Sequence, residues 1–146
     1  VIEGPPPGRV APIIFNRADN TLTDSVVTNG RNQREKVNHV ATFAGSAFQS
    51  EENFIPVLVL RKGIRSWAPE EYRKYTPSTP SHDVGGWIQG GILEYGKGRL
   101  AFFAEAAMFT AQVFDNGRIK AGMNHPQAGD NMQFLLNIIH WLDGLI

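Results

Sequence analysis

The spacing of apolar residues divides the chain into short segments. Val37 to Phe43 alternates, with Val37, His39, Ala41 and Phe43 on one side and Asn38, Val40 and Thr42 on the other. That is the period of a strand with one buried face. Phe54 to Leu60 is an unbroken apolar run too short for a typical helix, and it predicts a strand covered on both faces. Two further strands are expected at Trp87 to Tyr95 and Arg99 to Ala104, and Gly96-Lys97-Gly98 between them is short enough to force an antiparallel hairpin over 87–104. The second strand contains Leu100-Ala101-Phe102-Phe103-Ala104, with no polar alternation. It is expected in the sheet interior, with Phe102 and Phe103 on opposite faces.

Helical patterns are fewer. Ser66 to Tyr75 reads as a short helix with Pro69 in its first turn and Glu70 and Glu71 near its positive end. Ala106 to Phe114 reads as another. The strongest is the C-terminal helix 131–142, where Asp130 is placed to accept from the amide of Met132 or Gln133 and Gln133 completes a capping box. Its apolar residues cover most of the circumference and leave a polar stripe of Gln133, Asn137 and His140, so it is expected to be largely buried. Gly144 suits a left-handed stop.

Between these lie breakers. The prolines between Gly4 and Gly8 mark a linker, because proline lacks the backbone donor and locks φ. Asn16 to Arg34 is mostly loop around one short strand, Ser25 to Thr28, with a turn at Asn29-Gly30. Thr76 to Asp83 is an exposed excursion, Asp115-Asn116-Gly117 a turn and Gly122 to Gly129 a loop. The whole predicts one α/β domain over 1–146, with 1–9 linker-like and 10–146 folded.

Charge narrows the partners. Fourteen Lys and Arg balance fourteen Asp and Glu, which removes the long-range field that attracts nucleic acid or anionic lipid. No apolar run approaches the ~20 residues of a membrane-spanning helix. Neither nucleic acid nor membrane is expected as a partner. With no cysteine the chain makes no disulfide, thiolate metal site or cysteine nucleophile. The compartment stays open, because Val1 rather than Met implies processing or lost upstream sequence.

Several patterns invite chemistry. Gly91 to Lys97 matches the opening of a phosphate-binding loop, but Gly98 replaces the required Ser or Thr, and the segment links two strands. His39, His82, His125 and His140 lack the i, i+4 spacing of a helical metal site, so no metal and no cofactor are expected. No serine sits in a G-x-S-x-G elbow, and Gly45-Ser46-Ala47 reads as a turn. Glu105 is the leading candidate, because it follows an apolar strand at the kind of strand end where ligands bind in open α/β sheets. The competing reading makes it a carboxylate at a helix N-terminus. Gln112 lies one or two helical turns later, and Asn124 and His125 sit in a glycine-bounded loop able to close a pocket. These four are the candidate ligand-binding residues for a small molecule.

Ser25-Val-Val-Thr-Asn-Gly-Arg31, Val40 to Phe48, Gly86-Trp-Ile-Gln-Gly90, Gly96-Lys-Gly-Arg99, Glu105 to Gln112, Gly122-Met-Asn-His-Pro126 and Asn131 to Gly144 form a series. Together they resemble the C-terminal half of bacterial proteins of unknown function in the class I glutamine amidotransferase-like superfamily. The resemblance implies a flavodoxin-like three-layer α/β sheet, truncated here at its N-terminal side. It implies no glutaminase activity, since that chemistry uses a cysteine nucleophile. The expected function is a noncatalytic binding or scaffold module, with a hydrolase site near Glu105, completed by a missing N-terminal half or another subunit, as the alternative. Two apolar strands with few helices to cover them predict a homodimer or docking with that missing half.

Overall fold

The computed structural model describes residues 2–3, 11–51, 53–71 and 74–146. Among them are β1 (Ile2–Glu3), β2 (Ile13–Asn16), α1 (Val26–Asn29), β3 (His39–Thr42), β4 (Ile55–Val59), β5 (Arg65–Trp67) and β6 (Ser81–Asp83). There follow β7 (Ile88–Tyr95), β8 (Gly98–Phe103), β9 (Ala111–Phe114), β10 (Ile119–Gly122) and α2 (Asn131–Leu142). The strands form four small sheets, ordered β1-β5-β6, β2-β3, β4-β7-β8 and β9-β10, and every pairing is antiparallel. The fold is largely β, which overturns the expected flavodoxin-like three-layer α/β sheet. Parallel strands need long crossovers, usually helices. Among the described residues α2 is the one α-helix longer than a single turn.

The hairpin of β7 and β8 sets the largest sheet. Tyr95 pairs with Gly98, Leu93 with Leu100, Gly91 with Phe102 and Gly90 with Phe103. At Gly90 the ring of Phe103 occupies the space a Cβ would need, so the glycine admits the aromatic ring across the ladder. The expectation that Leu100 to Ala104 is interior fails, because β8 is an edge strand and Phe102 is 47% exposed. Phe103 turns inward, its ring 5.4 Å from Phe109 and 5.5 Å from Phe134. The outer face is lined by aromatics rather than by a helix, with Phe48 lying 4.9 Å from Phe102 and 5.7 Å from Phe54. On the other side, β4 buries Val57 and Leu58 but exposes Ile55. Its free edge is engaged by an irregular segment, with Thr23 N–H donating to Val57 O at 3.0 Å and Val59 N–H to Thr21 O at 2.8 Å.

Several segments depart from their local pattern. Ser25 to Thr28, expected as a strand, instead caps and opens α1, with Ser25 and Thr28 exchanging the bonds of a capping box. Ala106 to Phe114 splits into a 3₁₀ turn at Ala107–Phe109 and strand β9, which pairs with β10. The expected helix Ser66 to Tyr75 opens instead on the last two residues of β5, and Thr76 to Asp83 contains its partner β6. Tyr72 and Arg73 of that helix, and the linker Gly4 to Gly8, lie outside the described residues. Ile13–Asn16, ending where the stretch expected to be mostly loop begins, forms β2 against β3, with Ile13 opposite Thr42 and Phe15 opposite Val40.

α2 sits with its polar side chains inward. Asn131 is fully buried, accepting from Ala41 N–H at 3.0 Å and donating to Ala41 O at 2.8 Å and Met108 O at 3.0 Å. Asn137 is equally buried and donates to Val27 O at 3.0 Å and Glu35 O at 2.8 Å, while Gln133 donates to its Oδ1 at 2.9 Å. Phe134, Ile138 and Trp141 complete the inner face, whereas Met132, Leu136, Ile139 and Leu142 are exposed. The expected largely buried helix with a polar outer stripe is therefore corrected to one with an apolar outer stripe. The cause is irregular backbone beneath the helix, whose amides and carbonyls require polar partners. At the far end Arg99 donates to Trp141 O and to Ile146 O, and its guanidinium lies 5.3 Å from the Trp141 ring. This closes the helix C-terminus with a cation.

Asp130 does not cap α2 with its side chain. Its backbone is helical, φ −95° and ψ −5°, rather than extended as the capping geometry requires. Its carboxylate instead accepts from Asn38 N–H at 2.8 Å and His39 N–H at 3.2 Å, with His39 Nδ1 3.3 Å away.

Asn131→Ala is expected to leave the Ala41 amide, the Ala41 carbonyl and the Met108 carbonyl without this partner, at about 1 to 3 kcal/mol for each group that water cannot reach. Urea denaturation checks it: a loss under about 1 kcal/mol would show that the clasp is not a principal tie.

Candidate functional site

Glu105 follows β8 and is 4% exposed. Its carboxylate turns back over the next residues, accepting from Ala107 N–H at 2.9 Å and Met108 N–H at 2.8 Å, so it caps the 3₁₀ turn. Burial pushes its pKa above the usual carboxylate value, opposed by the backbone amides of Met108, Ala107, Phe43 and Ala44. Both carboxylate oxygens are thus engaged by backbone. Close by, Gln89 is fully buried, donates to Ala44 O at 3.1 Å and has no partner for Oε1.

The other three candidates gather on the β9–β10 hairpin and the loop that follows. Gln112 is half-buried on β9 opposite Ala121. Asn124 is exposed, and its side-chain amide donates to Gln112 O at 3.5 Å. The loop leaves β10 at Gly122, φ 64°, where a Cβ would overlap the carbonyls of Thr110 and Ala107. Only glycine turns the chain there without strain. His125 is then fixed from three directions: its N–H donates to Gly122 O at 3.0 Å, its Nδ1 accepts from Gln127 N–H at 3.2 Å, and its ring meets Phe43 edge-on at 5.3 Å.

His125 lines a recess of about 330 Å³ together with Arg118, Ile119, Lys120 and Pro126. Glu105 is not in its lining. The structure therefore divides the four candidates: Gln112, Asn124 and His125 belong to one hairpin and loop, and Glu105 is buried beside the turn after β8. Arg118 and Lys120 were not singled out from the sequence. Arg118 precedes β10 and Lys120 lies on it, and the strand that pairs with β10, β9, falls in a segment whose sequence reads as a helix.

The remaining histidines are dispersed. His39 sits at Asp130, His82 lies tilted against Trp87 at 5.6 Å, and Nδ1 of His140 is buried without a partner. Among the described residues no three of His, Asp and Glu converge as a metal set. No helix among them is long and apolar enough to cross a membrane. The phosphate-loop match at Gly91 to Lys97 lies on β7 and its turn, leading into strand β8 rather than a helix. Searches against family models, curated proteins and solved structures find no match to this chain.

The raised Glu105 pKa fixes the sign of a pH effect. The folded state holds this proton more tightly than the unfolded chain, so the contribution is whole below the unfolded pKa and is lost as pH rises through the folded one. As pH rises above the ordinary carboxylate range, the parent protein is expected to lose stability relative to Glu105→Gln, which cannot titrate. Parallel urea titrations measure the gap, and a gap that moves toward the parent with rising pH would contradict the assignment.

Proposed function

We propose that this chain is a noncatalytic binding module and that two copies pair through the outer face of α2. The observation that carries the reading is the orientation of that helix. Asn131 and Asn137 are spent inward, while Met132 is 60% exposed, Leu136 42%, Ile139 47% and Leu142 44%. Positions 132, 136 and 139 follow the 4-3 spacing that lines one seam of a helix, and such seams pack against a second helix by ridges into grooves. With Leu145 just beyond, a twofold pair would cover on the order of 1,000 Å² in all, the lower bound for a specific interface. That size suits a reversible dimer.

Charge supports a second copy as the occupant. The formal net charge is zero at pH 7, so two copies meet without long-range repulsion. The noncatalytic part is supported by Glu105, whose two oxygens are held by the Ala107 and Met108 amides. A carboxylate so engaged is poorly placed to serve a hydrolase as acid or base.

Sedimentation velocity from about 1 to 100 μM is expected to show a monomer–dimer equilibrium. Leu136→Glu combined with Ile139→Asp is expected to abolish it with little change in stability, since both side chains are exposed. A concentration-independent monomer would refute the pairing.

A further inference from the structure

The recess beside the β9–β10 hairpin combines three nitrogen donors with two apolar walls, and from it we infer a binding site for a small phosphate-bearing molecule with a short apolar portion. Its lining holds Arg118, Lys120 and His125 as the polar residues and Ile119 and Pro126 as the apolar ones, with no carboxylate among them. A volume of about 330 Å³ lies at the lower end of small-ligand pockets.

Each donor is available in a different way. Because His125 Nδ1 accepts from Gln127 N–H, the neutral ring carries its proton on Nε2 and presents that N–H as a donor. The ring is held by Phe43 at 5.3 Å, so little freedom remains to be lost on binding. Arg118 is oriented by Asp115, through Nη2 to Oδ1 at 2.7 Å and Nε to the carbonyl at 3.4 Å, which leaves Nη1 without a hydrogen bond among the described residues. Lys120 is exposed and has no ion-pair partner among them. Asp115 offsets one positive charge, and the other belongs to Lys120. Three N–H donors lining one open recess match the acceptor oxygens of a phosphoryl group, for which charge-assisted bonds are strongest. Ile119 and Pro126 add contact for a carbon group attached to it.

The site is built from one hairpin and the loop after it, so binding does not depend on whether two copies pair. Inorganic phosphate and phenyl phosphate are titrated into the full chain at constant ionic strength set with sodium chloride, following the His125 side-chain nitrogens by NMR. Both probes are expected to shift the Nε2 resonance saturably, phenyl phosphate binding the tighter. Lys120→Gln is expected to weaken both by about tenfold, and His125→Asn by a similar factor read from the Lys120 and Gly122 amides. An amide spectrum of each variant that overlays the parent outside the recess establishes that the fold is intact, and exposed Lys120 makes that the expected result. No saturable shift, an unchanged affinity in Lys120→Gln, or phenyl phosphate binding no tighter than inorganic phosphate would each overturn the inference.

Discussion

A backbone broken into short strands and turns leaves many buried N–H and C=O groups outside any regular ladder, and each needs a partner. Asn131 answers this at the centre of the molecule. Its side chain meets both backbone groups of Ala41 on β3 and the carbonyl of Met108 after β8, tying two distant segments to the start of α2. Asn137, two turns on, repeats the device on Val27 and Glu35. The same helix face carries Phe134 and Trp141 into the core, so polar and apolar ties act on one surface. The orientation of α2 follows, because rotating it to hide its leucines would strand both amides' partners in a dry interior.

That orientation propagates. With the asparagines inward, Met132, Leu136, Ile139 and Leu142 are left outward, which no averaging of hydrophobicity along the helix would suggest. Arg99 reaches from β8 to the Trp141 carbonyl in the last turn of α2 and to the Ile146 carbonyl beyond it, and so holds the edge strand to the helix end. At the opposite end Asp130 binds the Asn38 and His39 amides, so the loop carrying His125 arrives at α2 already fastened to β3. Phe43, just beyond β3, then braces the His125 ring. The recess is thus positioned by the clasp that orients the helix.

Charged groups divide between tying the chain and facing water. Glu105 and Asp130 both receive paired backbone amides, which is how a carboxylate is kept in or near an interior. Glu35 is held near pKa 2 chiefly by Arg31, whose guanidinium and amide both donate to it at the entry to β3. Arg118 and Lys120 face the recess. A sequence with balanced charge can therefore still carry a local excess of positive donors.

Local pattern was enough for elements made by neighbours in sequence. The β7–β8 hairpin was legible because a short glycine link between two apolar runs admits few other geometries, and α2 because twelve residues of helix-compatible spacing stand between Asp130 and Gly144. The polar recess loop was also legible as a loop, and His125 and Asn124 as residues within it. What the pattern could not reveal was which partner each face would meet. Phe102 and Phe103 are equivalent in sequence, yet one is half exposed at a sheet edge and the other meets Phe134 edge to face in the core. Ala106 to Phe114 has helical composition but became a turn and a strand because β10 supplied a ladder. Asp130 has the side chain of a helix cap, but its carboxylate went to amides 92 and 91 residues away. In each case side-chain chemistry was set by the residue, while strand partner, edge position and helix rotation were set by non-local hydrogen bonds, and those exist only once the chain has folded back on itself.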